Sequence, residues 1–286
     1  MGDDGWAFKG SAAVSAGERT EWGVRTGCVR IAPDTYVVKG VSLDARGRAQ
    51  AALEWGGDGA VLAGCSAAVM VGARWMEDRP AEVVVPRRAR PPADVLVYRD
   101  VIPEEEIIEV GGLRCTAPAR TAFDLARRQR FGAAIELLDS LFHATGLTAA
   151  DVEAVAACHP HTRNCRNLPR VLSYVDGGAE SIPETRTRLL LQRAGFPKPT
   201  TQIRIERDGI AFARIDMGWP RWKVGVEYEG AQHWTTPAQF THDIDRYHAL
   251  STLGWLIIRV SATHLAHPEI ILPRISDALH HHGYPR

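Results

Sequence analysis

Lysine is almost missing from this chain: 30 of its 34 basic residues are Arg and 4 are Lys. That skew reads as the codon bias of a GC-rich genome and carries no function. Neither charge is in surplus, because 34 Asp and Glu bring the net to zero, and the simplest sign of a polyanionic partner is withheld. Apolar runs are short. The charge-free stretch Gly59–Ala73 holds 15 residues, below the roughly 20 that span a bilayer. Met1-Gly-Asp-Asp-Gly-Trp6 is acidic and has no apolar signal core, so the expectation is a cytoplasmic protein with no membrane partner. Repeats, low-complexity segments, phosphate-cradling glycine loops and nucleophile–base pairs are all missing; Gly111-Gly112 reads as a hairpin turn. The five cysteines are odd in number and scattered, which excludes a disulfide framework. Cys158, His159, His161 and Cys165 have the donor types of a zinc site, but their spacing matches no common finger or ribbon. A loop between helices is the plainer reading.

What is present is a globular chain. Its 286 residues allow two or three domains, and 45% hydrophobic composition is enough to build cores. Charge is distributed unevenly but weakly: from Ser181 onward there are 13 basic and 10 acidic residues, against 21 and 24 before it. The fold class expected is α+β in three parts. Residues 1–40 form a small winged-helix-like unit: helices at Ser11–Ala16 and Glu18–Arg25, then strands Cys28–Ile31 and Thr35–Val38 about a Pro33-Asp34 turn. Its second helix would be the reading helix, with Arg19 and Arg25 toward nucleic acid. It is less basic than such a helix usually is.

Residues 41–178 read as an α/β middle region that ends in helices. A helix over Asp44–Trp55 and a small-residue segment over Val61–Val71 lead to strands at Glu82–Pro86, Asp94–Arg99 and Glu106–Cys115. Helices follow at Pro118–Arg130, Ala133–Ala144 and Ala149–Cys158. Arg87 and Arg88 sit in a Pro-flanked loop, either as phosphate contacts or as a solvated basic loop.

Residues 179–286 restart the pattern after Asp176-Gly-Gly. Ser181-Ile-Pro-Glu184 has the form of a capping box and opens a helix to about Ala194. Strands at Thr201–Arg207, Ala211–Trp219 and Lys223–Glu229 make a meander. A helix over Thr236–Leu253, a strand over Trp255–Val260 and a helix from Pro268 complete the unit. Alternation places Lys223, Gly225, Glu227 and Glu229 on one face. In the preceding strand Asp216 lies with Phe212, Arg214 and Gly218, opposite Ala213, Ile215 and Met217. Strands about 4.8 Å apart then let Asp216 face Glu227. Converging carboxylates repel unless a divalent cation or arginines neutralise them. Both solutions are open from sequence alone: salt bridges to Arg214 and Lys223, an Asp243–Arg246 pair at i, i+3, and Arg259 as counter-ion all fit.

Asp216, Glu227-Tyr-Glu-Gly230 with His233, Asp243-Ile-Asp-Arg246 and Gly254-Trp-Leu-Ile-Ile-Arg259 resemble the Vsr-like branch of the PD-(D/E)XK nuclease superfamily. The resemblance covers Ser181–His282 and implies a restriction-endonuclease-like domain, a mixed sheet flanked by helices. It implies Mg²⁺ or Mn²⁺ on Asp216, Glu227 and Glu184, and phosphate contacts from Arg214, Arg246 and Arg259. The motif's Lys is replaced by Glu229. His233 is the substitute for moving protons, since imidazole titrates near neutral pH; Glu229 is alternatively a further metal ligand.

Gly59–Ala68, Glu82-Val-Val-Val-Pro-Arg-Arg88 and Cys115-Thr-Ala-Pro-Ala-Arg-Thr-Ala-Phe-Asp-Leu-Ala126 resemble AbiEi-type antitoxin-related proteins. That resemblance implies a winged helix, operator binding and a cognate toxin as partner. Two functions follow: a metal-dependent DNA endonuclease, or a DNA-binding regulator of the antitoxin type whose nuclease fold no longer cuts. A third reading is an interaction protein with salt-bridged carboxylates. DNA is the expected partner, and the oligomeric state is open, with a homodimer allowed.

Overall fold

The computed structural model describes residues 7–86, 90–207, 209–230 and 237–285, so Arg87, Arg88 and His233 lie outside the described residues. The chain is mixed α+β and divides into two compact units, Met1–Val175 and Asp176–Arg286. No described helix is long and apolar enough to cross a membrane.

The first unit opens with strand β1 (Phe8–Lys9), helices α1 (Gly10–Ser15) and α2 (Glu21–Gly27), and strands β2 (Cys28–Ala32) and β3 (Thr35–Val38). The strands form an antiparallel sheet in the order β1-β3-β2. Thr20 starts α2 by accepting the Gly23 N–H at 3.0 Å, which places the helix three residues later than the sequence pattern suggests. Asp34 sits in the tight turn with φ +55 and ties it to α1, its Oδ1 accepting Ser11 N–H at 2.9 Å.

Helix α3 (Ala45–Gly56) then leads into β4 (Val61–Leu62), α4 (Gly64–Met70), β5 (Ala81–Val84), β6 (Val95–Tyr98), β7 (Ile107–Val110) and β8 (Leu113–Thr116). Their sheet runs β6-β5-β4-β8-β7; the β5–β6 and β4–β8 pairs are parallel, and the other two antiparallel. All four residues of β5 are buried, as expected of a strand covered on both faces. Helices α5 (Pro118–Arg128), α6 (Phe131–Thr145), α7 (Ala149–Cys158) and α8 (Leu168–Tyr174) complete the unit.

The second unit consists of α9 (Ile182–Arg193), β9 (Thr200–Arg207), β10 (Ile210–Trp219), β11 (Val224–Tyr228), α10 (Pro237–Thr252), β12 (Leu256–Val260), α11 (Ala262–Ala266) and α12 (Pro268–His281). Its sheet order is β12-β11-β10-β9, antiparallel except for the parallel β11–β12 pair. One apolar cluster holds Leu191, Met217, Val224, Val226, Val260, Ile271 and Ile275; a second holds Ile203, Ile205, Ile215 and Leu250. Ile215 and Met217 therefore belong to different clusters, against simple alternation along β10. Gln202, between their β9 partners Ile203 and Thr201, has φ +49, and this left-handed residue interrupts the pleat beside Asp216. Lys223 also departs from its expected strand position. It sits in a turn with φ +49 before β11, and its Nζ donates to Leu253 O at 2.8 Å.

Candidate functional site

Asp216 and Glu227 meet where the antiparallel ladder runs out. The last register pair of β10 and β11 is Met217–Val226. Beyond it a side chain continues the ladder, Asp216 Oδ2 accepting Tyr228 N–H at 2.8 Å. Burial is the main influence on the Asp216 carboxyl. The Tyr228 N–H bond opposes it, the charges of Glu184 and Glu227 reinforce it, Arg214 pulls weakly the other way, and the group is pushed up to about 7.

Glu227 is 6% exposed and fully engaged. Arg246 of α10 donates to its two oxygens at 2.7 and 3.1 Å, and the Tyr247 hydroxyl donates to Oε2 at 2.6 Å. A two-pronged guanidinium bond of this kind is among the stronger charge-assisted contacts. Burial, together with the bond to Glu227, raises the Tyr247 phenol and keeps it a donor. Arg246 also lies 3.6 Å from Asp243, the expected i, i+3 partner. Glu229, just past β11, pairs with Arg259 of β12 and lies 3.5 Å from the Tyr247 hydroxyl.

Glu184 completes the group from α9. Ser181 Oγ accepts Glu184 N–H at 3.2 Å and donates to Glu184 Oε1 at 2.7 Å; Glu184 Oε2 accepts Glu180 N–H at 2.9 Å and Gln202 Nε2 at 3.1 Å. The capping reading of Glu184 and its place near Asp216 hold together. Arg214 is directed elsewhere, donating to both oxygens of Glu180 at 2.7 and 2.6 Å.

These donors do not fit a divalent ion as they stand. Both Glu227 oxygens are held by Arg246 and Tyr247, both Glu184 oxygens are in the cap, and one Asp216 oxygen is on backbone. Among the described residues no group of three His, Cys, Asp or Glu is arranged to hold a metal ion. That includes the Cys158–Cys165 segment, where His159 Nε2 meets Glu106 Oε1 at 2.6 Å and Cys158 is exposed.

At the N-terminal sheet, Arg25 is exposed in the last turn of α2 beside Trp22, which is 67% exposed. Arg19 lies before the helix, its guanidinium 4.7 Å from the centre of the Phe8 ring. The middle region has a buried ionic core. Asp124 is fully buried and receives Arg120 Nε at 3.1 Å and Arg127 Nε at 2.7 Å, while Glu106 takes the other end of Arg120. Arg120 and Asp124 lie in the Cys115–Ala126 motif, so in this structure that motif is an ion-paired scaffold.

Residues 60–172 match the AbiEi antitoxin C-terminal domain family. Two proteins of Mycobacterium tuberculosis are similar over 173 residues at 31% identity: uncharacterized protein MT2308 of strain CDC 1551 / Oshkosh and uncharacterized protein Rv2248 of strain ATCC 25618 / H37Rv. The match takes in 60% of this chain and spans 63% of the length of each of those relatives.

Sequence reasoning did not find Tyr247 as a site residue or the Glu180–Arg214 pair. Tyr247 follows the Asp243–Arg246 motif directly, and its place one residue beyond Arg246 was the available signal. Glu180 carried none.

Proposed function

We propose that this chain is a DNA-binding regulator of the antitoxin type, with a toxin as its cognate partner and a C-terminal nuclease-like fold that does not cut. The match of residues 60–172 to the AbiEi antitoxin C-terminal domain carries this reading. The Arg246–Glu227 fork supports its second half, because it places a guanidinium where catalysis would need a cation. The two helices and three-stranded sheet at the N-terminus are taken as a winged helix that presents Arg25 and Trp22 to DNA. In a mobility-shift titration with the chain's own promoter, wild type is expected to bind sequence-specifically. The Arg19→Ala/Arg25→Ala variant is expected to bind so weakly at physiological salt that no shift is seen. At low salt, where binding is measurable, it is expected to show a salt slope smaller by about 2 as two phosphate contacts vanish. Unchanged binding in the double variant overturns the reading of the N-terminal sheet.

A second reading, a metal-dependent DNA endonuclease using Mg²⁺ or Mn²⁺, has one observation in its favour. Burial chiefly raises the Asp216 carboxyl, and the charges of Glu184 and Glu227 add to it; that added repulsion is what a cation would relieve. It requires Arg246 to release Glu227. Calorimetric titration of Mn²⁺ into wild type and Asp216→Ala separates the two readings. On the regulator reading neither protein takes up the ion; uptake by wild type that is lost in the variant puts the nuclease first.

A further inference from the structure

Outside the carboxylate site, arginines gather among the described residues around a cavity of about 740 Å³ in the first unit. The end of α5, the start of α6 and the loop before α8 enclose it. Arg127, Arg128, Arg130, Arg163 and Arg166 all line it, His161 lies beside them, and no Asp or Glu does.

The five arginines are of two kinds. Arg127 and Arg128 form the recessed wall, with side chains 8% and 11% exposed. Asp100 holds them at 2.5 and 2.8 Å and Asp124 at 2.6 and 3.3 Å, so their guanidinium planes are fixed and their charge is largely compensated. Arg128 keeps one buried nitrogen, Nη1, with no hydrogen-bond partner. Arg130, Arg163 and Arg166 form the exposed rim and make no ion pair among the described residues. Three exposed guanidiniums around one opening make the rim positive and leave donors available to an anion rich in oxygen.

We propose that this cavity binds the polyphosphate moiety of a compact ligand, of the size of a nucleoside di- or triphosphate. Guanidinium forks match phosphoryl oxygens two at a time, and a polyphosphate offers several such oxygen pairs and more negative charge where a single carboxylate offers one pair. The volume lies within the range of about 300–1,000 Å³ typical of small-ligand sites. The recessed position of Arg127 and Arg128 suits a chain of phosphates that enters the cavity, and suits poorly a duplex backbone that lies across it.

The test is calorimetric titration of the full chain with inorganic pyrophosphate and, separately, with ATP, both at fixed ionic strength and without divalent metal. Wild type is expected to bind both. Equal affinity assigns the site to phosphate alone, and tighter ATP binding adds contacts to the nucleoside; either result supports the proposal. Arg163→Ala/Arg166→Ala is expected to bind at least about tenfold more weakly while keeping its melting temperature, because both side chains are exposed. Arg130→Ala probes the same rim independently. Lack of binding by both probes overturns the proposal, and so does binding unchanged in the double and single variants. Loss of duplex DNA binding in the double variant, with neither small probe bound by wild type, also overturns it and leaves a phosphodiester-contacting surface instead.

Discussion

Asp216 is a residue whose ionisation near neutral pH differs between solvent and fold. Its folded carboxyl titrates at about 7, against about 4 for an exposed aspartate. Between those values the folded chain binds the extra proton, so stability falls as pH rises from about 4 through 7. Asp216→Asn keeps an acceptor for Tyr228 N–H and removes the titration. It is expected to match wild type near pH 4 and to exceed it at pH 8 by on the order of 4 kcal/mol. Urea unfolding at the two pH values measures this; a variant less stable than wild type at pH 8 would mean that the ionised carboxylate has a partner there. Only part of this was legible beforehand. Alternation brought Asp216 toward Glu227, and Ser181-x-x-Glu184 announced its own cap. The close approach of Arg246 to Glu227 depends on where α10 packs, a long-range outcome that strand alternation does not specify.

At the scale of elements, the entry into α4 shows how tightly one helix start can be specified. Gly64 has φ +51, and a Cβ there would lie 2.0 Å from Glu82 Oε2. Glu82 cannot give way easily: it is 2% exposed, accepts Cys65 N–H at 3.0 Å and receives the Tyr98 hydroxyl at 2.7 Å. Gly64→Ala is expected to destabilise the chain by about 2–4 kcal/mol, from backbone strain combined with displacement of a buried carboxylate. Gly111→Ala supplies the comparison, because its site has φ +57 but nothing within 4 Å of the added methyl. Equal loss in the two variants, read from thermal denaturation, would reduce the Gly64 effect to backbone strain alone. Elements of this kind were unevenly readable. Strands β6 to β8 and helices α5 to α7 lie close to where periodicity places them. The small-residue run Val61–Val71 splits into β4 and α4, because short side chains carry no period that separates strand from helix. Gln202 and Lys223 break the pattern by adopting positive φ, for which neither residue type gives a signal.

Across the whole molecule, zero net charge conceals strong local segregation. Arginines line one cavity of the first unit, and carboxylates gather at the sheet of the second. Composition averages these away, which is why charge counting was mute about both. The parallel pairing of β11 with β12 has a separate consequence, a kinetic one. Parallel neighbours cannot be joined by a tight turn, so β12 reaches β11 only after the chain has passed through α10. The meander β9-β10-β11 can zip locally, whereas Arg246 and Arg259 arrive with this slower crossover. Their contacts to Glu227 and Glu229 should then be absent from the folding transition state. Arg246→Ala is expected to speed unfolding with little change in the folding rate, as stopped-flow chevrons would record; a slowed folding arm would instead place α10 in the nucleus. The carboxylates would thus stand without counter-ions for part of every folding event, and the guanidiniums act as a latch that closes last.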